Sequence, residues 1–280
     1  MDSMRRSPGA TPSATHANPV LPAERPLTLV EHALRHDRVT LLVLLVLTPV
    51  FSWMWIVMMA RDMYGPMTGA SAWMMTTHWD APHVLLLWAM WCVMMTAMML
   101  PSAAPLVLLY GAAARRSRQP TARRHIYALA AGYLAAWAAF SLAATALQRA
   151  LASLLLISPM MEAGSSRVTA TLLVVAGVYQ WTPLKHACLR TCQSPLGFLM
   201  ARWRDGSSGA FRVGLEHGAY CIGCCWALML LLFAGGVMNV VVIVGLTAWV
   251  ALEKLAPFSR RSAQFSGAVM IAVGSWILMR

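Results

Sequence analysis

Long apolar runs separated by short polar stretches fill the chain from Val39 onward. The runs are Val39–Ala60, Val84–Tyr110, Ile126–Leu147, Val168–Thr182, Val213–Ala234, Val240–Leu252 and Phe265–Met279. Neither strict alternation nor a single polar face marks them, so they read as helices that are apolar all round. A helix that crosses a bilayer needs about 20 apolar residues. The fourth, sixth and seventh runs reach that length only by extension through neutral flanks. The second carries Pro101 and Pro105, which predict a kink or a break. The fifth and sixth are joined by Gly235-Gly236-Val237-Met238-Asn239, a tight hairpin. Gly214-xxx-Gly218 offers one face for close helix packing. The expected fold class is therefore all-α, a polytopic bundle of about seven transmembrane helices spanning residues 39–280. Residues 1–38 are polar and rich in proline (Pro8, Pro12, Pro19, Pro22, Pro26), and read as a disordered tail.

Composition agrees. Hydrophobic residues make up 59% and charged residues 11% of the 280, with a mean hydropathy of +0.61. Soluble domains carry about 25% charged residues. A chain this poor in charge cannot cover a watery surface, so the lipid bilayer is its expected surrounding. The net charge of +12 then reflects basic loops rather than nucleic-acid binding. Those loops alternate. Arg25, Arg35 and Arg38 precede the first run, and Arg115, Arg116, Arg118, Arg123 and Arg124 follow the second. Lys185, Arg190, Arg202, Arg204 and Arg212 follow the fourth, and Lys254, Arg260 and Arg261 follow the sixth. The intervening loops hold Arg61 and Arg167. The bias predicts a cytoplasmic N-terminus and tail and an outer C-terminus.

Polar and soft side chains inside such a chain carry its chemistry. Five of the six cysteines fall in two groups. One runs from Lys185 and His186 through Cys188 and Cys192 to Pro195. The other runs from Glu216 and His217 through Cys221, Cys224 and Cys225 to Trp226. Four-residue spacing puts Cys188 and Cys192 on one helical face, and Cys221 and Cys225 repeat it. Thiolates bind soft metals, and Lys185 and Arg190 beside them favour the thiolate. Packing is the alternative, and it is the expected role of the isolated Cys92.

Methionine is the second signal. Twelve of the 21 lie between Met54 and Met99, and Met90, Met94 and Met98 recur every four residues, with Met95 and Met99 alongside. A thioether holds Cu(I) without placing charge in lipid, although methionine also packs well against aromatics such as Trp88 and Trp91. Met63, Met67, Met74, Met75, His78, Asp80 and His83 form a third group, either a cation-collecting loop or an ordinary interfacial one with Trp73 and Trp79. Glu253-Lys254 reads as an inner-interface marker at the end of the sixth run. No nucleotide loop or Ser/His/Asp set is present, and no enzyme activity is expected.

Several of these segments resemble a bacterial family of predicted metal-binding integral membrane proteins, a domain of unknown function. The likeness lies in Met94-Met95-Thr96-Ala97-Met98-Met99-Leu100-Pro101-Ser102 and in Tyr179-Gln180-Trp181-Thr182-Pro183-Leu184-Lys185 running on to Cys188 and Cys192. It continues in Cys221-Ile222-Gly223-Cys224-Cys225-Trp226 and Met238-Asn239. Gln193 stands where the family pattern has Arg, and aliphatic residues follow Asn239 where it has a Trp-containing run. The resemblance covers Val84 to Pro257 and implies a membrane location with metal binding.

The expected function is soft-metal binding in a bacterial inner (cytoplasmic) membrane: transport or handling of copper(I), with zinc as the alternative ion. Candidate ligands are Cys188, Cys192, Cys221, Cys224, Cys225, Met90, Met94, Met98, His78, His186 and His217. A metallochaperone or a larger membrane complex is the expected partner. Two other readings stand beside this one: a membrane thiol–disulfide oxidoreductase, and a structural subunit whose cysteines only pack.

Overall fold

The computed structural model of the chain describes residues 29–65, 67, 70–75, 79–116, 122–158, 161–255 and 259–280. The expected tail lies, up to residue 28, outside the described residues, as does His78. Ten helices occur among the described residues: α1 Leu29–Met63, α2 Ala70–Met74, α3 Ala81–Arg116, α4 Ala122–Ser153, α5 Ser166–Gln180, α6 Pro183–Gln193, α7 Pro195–Arg202, α8 Gly206–Gly235, α9 Val240–Leu255 and α10 Ser259–Leu278. No strand is found among them, only an isolated antiparallel bridge between Ile157 and Ala163. The fold is all-helical, as the apolar patterning required.

Each of the seven expected runs falls on a helix. Four stretches are long and apolar enough to cross a membrane: Leu41–Met63 of α1, and α3, α4 and α8 in full. The other three fall short for plain reasons. α5 has 15 residues and α9 has 16. At a rise of 1.5 Å these are helices of about 22–24 Å, against a hydrocarbon core of about 30 Å. α10 carries Arg260, Arg261 and Gln264 in its first two turns.

α3 runs unbroken through Pro101 and Pro105. Each proline removes one ladder hydrogen bond. Beside them, Ser102 Oγ and Tyr133 Oη both donate to the Met99 carbonyl, at 2.8 and 3.0 Å.

Glycines set how closely the helices approach. A Cβ on Gly214 would collide with the Leu129 carbonyl, and one on Gly132 with the Phe211 carbonyl. A Cβ on Gly218 would stand 2.5 Å from Ala136 Cβ. α4 and α8 thus run parallel with their backbones nearly touching, and Gly214-xxx-Gly218 is the α8 face that permits it. A second seam joins α5 to α10, where a Cβ on Gly177 would lie 2.7 Å from the Gly267 carbonyl. Around these seams the buried side chains form two apolar clusters. The larger holds Met90, Met94, Met95, Met98 and Met99 together with Cys188, Cys221, Cys224 and Cys225. The smaller packs Leu106, Tyr110, Ile126, Leu129 and Phe198 near the start of α4.

A side chain forced into the α4–α8 seam should separate the helices. Overpacking a core costs about 1–3 kcal/mol. Gly214→Val is expected to lower the thermal unfolding midpoint in detergent. Gly245→Ala, where a Cβ meets nothing within 4 Å, should leave it unchanged or raise it.

Candidate metal centre

α6 owes its position to local sequence. Thr182 caps it, its side chain accepting from Lys185 N at 3.3 Å, and Pro183 occupies the first turn. Ser194-Pro195 ends it after 11 residues and starts α7. The short helix lays Cys188 and Cys192 against α8. Gly223 makes room for it: a Cβ there would stand 2.8 Å from Cys188 Sγ. Tyr179 Oη donates to the Gly223 carbonyl and holds α5 to the same turn.

Four thiols meet at this crossing. Cys192 lies within hydrogen-bonding reach of Cys221 and Cys224, and Cys225 within reach of Cys221 and Cys224. Cys221, Cys224 and Cys225 are each 1% exposed. Cys224 and Cys225 both donate to the Cys221 carbonyl, at 3.1 and 3.0 Å. Cys188 sits beside Gly223 at the edge of this group. Cys92 lies on α3 next to Ser141, apart from it. Among the described residues, no group of three or more His, Cys, Asp or Glu side chains is placed to hold a metal ion. Two of the thiols, Cys224 and Cys225, are instead turned to the Cys221 carbonyl.

The residue that sequence reasoning missed is Lys254. Its Nζ donates to Cys221 Sγ at 2.9 Å and to Ser102 Oγ at 3.0 Å, and lies 3.8 Å from Met99 Sδ. Tyr133 Oη lies 3.1 Å from Cys221 Sγ. Glu253-Lys254 does more than end the sixth run: the two side chains are 2% and 7% exposed and face into the bundle. The signal was present in the sequence, because a charge next to an apolar helix is costly without a partner. Lys185 also departs from its expected role beside the thiols. It pairs with Glu253 at 2.6 Å, fully buried. Glu253 further accepts from Gln180 Nε2 and Trp249 Nε1, both at 2.9 Å.

The other expected ligands are scattered. Met90, Met94 and Met98 are buried in the same core as the thiols, but the methionine that reaches the Lys254–Cys221 group is Met99, from the neighbouring row. His217 lies one turn before Cys221, between the Tyr133 and Phe198 rings, with Nδ1 unpartnered among the described residues. His186 faces away, lining a pocket of about 180 Å³ with Arg190, Gln193 and Arg260. Burial, then Arg260, Lys185 and Arg190, pushes its pKa below the ordinary value, so the ring stays neutral at pH 7. Glu216 turns outward to Arg202 and Arg204, at 3.0 and 2.8 Å.

Fold and site together define an all-helical protein with membrane-length apolar helices and a buried, lysine-attended cluster of thiols. The chain belongs to the PpoB2 copper chaperone family, whose family model matches residues 88–277. No curated protein and no solved structure matches it. The matched segment contains the five clustered cysteines, the methionine rows and Lys254. Copper handling thereby takes the place of the undefined metal role that the sequence resemblance implied.

Glu253→Gln keeps the side-chain volume but leaves Lys185 buried without a counter-charge. Breaking a buried pair from one side costs about 3–5 kcal/mol. Removing only the indole donor, with Trp249→Phe, should cost about 1 kcal/mol. Thermal and denaturant unfolding in detergent should rank the two variants in that order.

Proposed function

We propose that the chain is a polytopic inner-membrane protein that binds copper(I) at Cys192, Cys221, Cys224 and Cys225 and passes it to a partner by thiol exchange. The observation that carries this reading is the meeting of four thiols from α6 and α8, one of which, Cys221, accepts from the Lys254 ammonium at 2.9 Å. Charge supports it. One Cu(I) held by two thiolates is a monoanion, and a lone anion is costly in an apolar interior. Lys254 supplies the opposite charge at hydrogen-bond distance. Cu(I) accepts two or three soft ligands, so part of the cluster stays free to receive or release the ion stepwise. Cys188 and Met99 stand at its edge as further soft donors. Met90, Met94 and Met98 line the approach along α3 without adding charge.

Membrane insertion draws support from the outer face of α1, where Val46, Val50, Phe51, Met54 and Met58 are each more than half exposed. These side chains suit lipid and would be unfavourable in water. The basic loops assign the N-terminus and the α6–α7 region to the cytoplasm and the α8–α9 hairpin to the periplasm. Seven crossings then require α5, α9 and α10 to span with help from neutral flanks or locally thinned lipid. Thiol–disulfide exchange is the second reading, favoured by the two-residue spacing of Cys221 and Cys224 and by their proximity.

Cu(I) titration of reduced, anaerobically purified protein against a competing chelator tests the copper reading. Cys221→Ser and Cys225→Ser should each lose the tightly bound ion, and Cys92→Ser should keep it. Replacing Met90, Met94 and Met98 by Leu, a swap that costs under about 1.5 kcal/mol, should lower cellular copper accumulation in protein that still reaches the membrane. Unchanged accumulation returns the row to packing. Wild-type protein that takes up no Cu(I) or Zn(II) rejects the metal reading. Thiol trapping then decides between redox exchange and a structural role.

Reporter fusions check the topology. Periplasmic reporters should be active after Asp80 and at the C-terminus, and cytoplasmic reporters at Arg116. A cytoplasmic Asp80 overturns the orientation, and a cytoplasmic C-terminus makes the span count even.

A further inference from the structure

A cavity of about 490 Å³ opens at the end of the bundle opposite α6. Its walls come from four segments: Met74 and Met75 at the end of α2, His83 and Leu87 in the first turns of α3, Gln148 and Arg149 near the end of α4, and Met161. Met161 belongs to the turn that follows α4. That turn is closed by the Ile157–Ala163 bridge and tied to the α8–α9 hairpin by Val237 N donating to the Met161 carbonyl at 3.2 Å. Met161 itself holds φ at +58°, a left-handed conformation that residues with a Cβ rarely adopt. Met74 and Met161 are each 2% exposed.

His83 gives the cavity its chemistry. The side chain is 1% exposed. Its Nε2 lies 3.2 Å from the Met74 carbonyl. A carbonyl only accepts, so Nε2 carries the proton, and in the neutral ring the lone pair lies on Nδ1. Nδ1 is buried and has no hydrogen-bond partner among the described residues. A neutral imidazole oriented through its other nitrogen is the arrangement that protein sites use for a metal-ligating histidine. The backbone supports the geometry, with His83 N donating to Asp80 Oδ1 at 3.0 Å and the Trp79 ring edge-on at 5.1 Å.

We propose that His83 Nδ1 and the thioethers of Met74 and Met161 form a second binding site for a soft monovalent cation, Cu(I) or Ag(I), at the end of the bundle away from the thiols. Its identity as a copper site rests on the copper reading of the chain. The ligands are all uncharged, so the site holds a soft cation more loosely than thiolates do and refuses hard divalent ions. Arg149 stands at the rim with its guanidinium 5.9 Å from the centre of the Trp79 ring, and it lines a neighbouring groove with Asp80. It is exposed, so solvent and salt screen its repulsion. Below the cavity, Trp91 donates to Gln148 at 2.8 Å, and Met90 and Met94 continue along α3 toward Met99. The two sites thus lie at either end of one row of thioethers.

The test is Ag(I) titration of the full-length protein carrying ¹³C-methyl methionine, in detergent, with methyl signals assigned through Met74→Leu and Met161→Leu. Ag(I) should shift the Met74 and Met161 methyls. His83→Gln should weaken that response about tenfold or more. Cys221→Ser/Cys225→Ser protein should keep it. Met74 and Met161 methyls that stay in place in wild-type protein while Ag(I) titrates the thiols overturn this site and leave the thiol site standing. Methyl shifts that persist in protein whose thiols take up no Ag(I) or Cu(I) uphold this site and reject the thiol one. Equal shifts in wild type and His83→Gln, with both folded by circular dichroism, overturn the role of His83.

Discussion

Two adjacent charges, Glu253 and Lys254, hold together the end of the molecule near α6. Successive residues of a helix point about 100° apart, so each faces a different set of neighbours. Glu253 gathers Lys185 from α6, Gln180 from α5 and Trp249 from its own helix. Gln180 also reaches Ser266 on α10 at 3.0 Å, and Gln193 closes on the Glu253 carbonyl at 2.9 Å. Lys254 faces the other way, to Ser102 on α3 and Cys221 on α8. Five other helices are thereby tied to two residues of α9, α10 through Gln180. In an apolar interior neither charge is tolerated alone, so the partners fix where α6 and α8 must lie.

That constraint produces the thiol site. α6 is short, and the Lys185–Glu253 pair and the Thr182 cap hold it in place alongside the burial of Cys188 and Leu189. From there Cys192 reaches the α8 thiols, and Gly223 supplies the space that Cys188 needs. The charge on Lys254 belongs equally to the helix framework and to the sulfur chemistry. Any ion that makes the cluster anionic strengthens the contact that holds α9 to α8.

The two ends of the bundle differ in donor type. Thiols and a cation meet in the half near α6. Thioethers and a neutral imidazole surround the cavity at the other end. Between them lies a buried methionine row that carries no charge. On the proposed reading, that order runs from neutral thioethers to thiols, which hold a soft ion more tightly once deprotonated.

The helical class was legible because apolar residues fill long segments and charges retreat to the loops, a pattern set by solvent alone. The thiol groups were legible because four-residue spacing fixes a helical face without reference to any neighbour. The Gly214-xxx-Gly218 face was legible for the same reason. What crosses between helices was not. Nothing in the spacing showed that Lys254 would reach Cys221, that Lys185 would turn from the thiols to Glu253, or that Met99 would touch the site ahead of Met90, Met94 and Met98. Met161 and His83 lie 78 positions apart and share a cavity only because the turn after α4 folds back over the start of α3. Sequence determined which residues the bundle could not leave unpartnered. Tertiary packing alone decided which partner each received, because in a low-dielectric interior that choice depends on where the other helices place their few polar atoms.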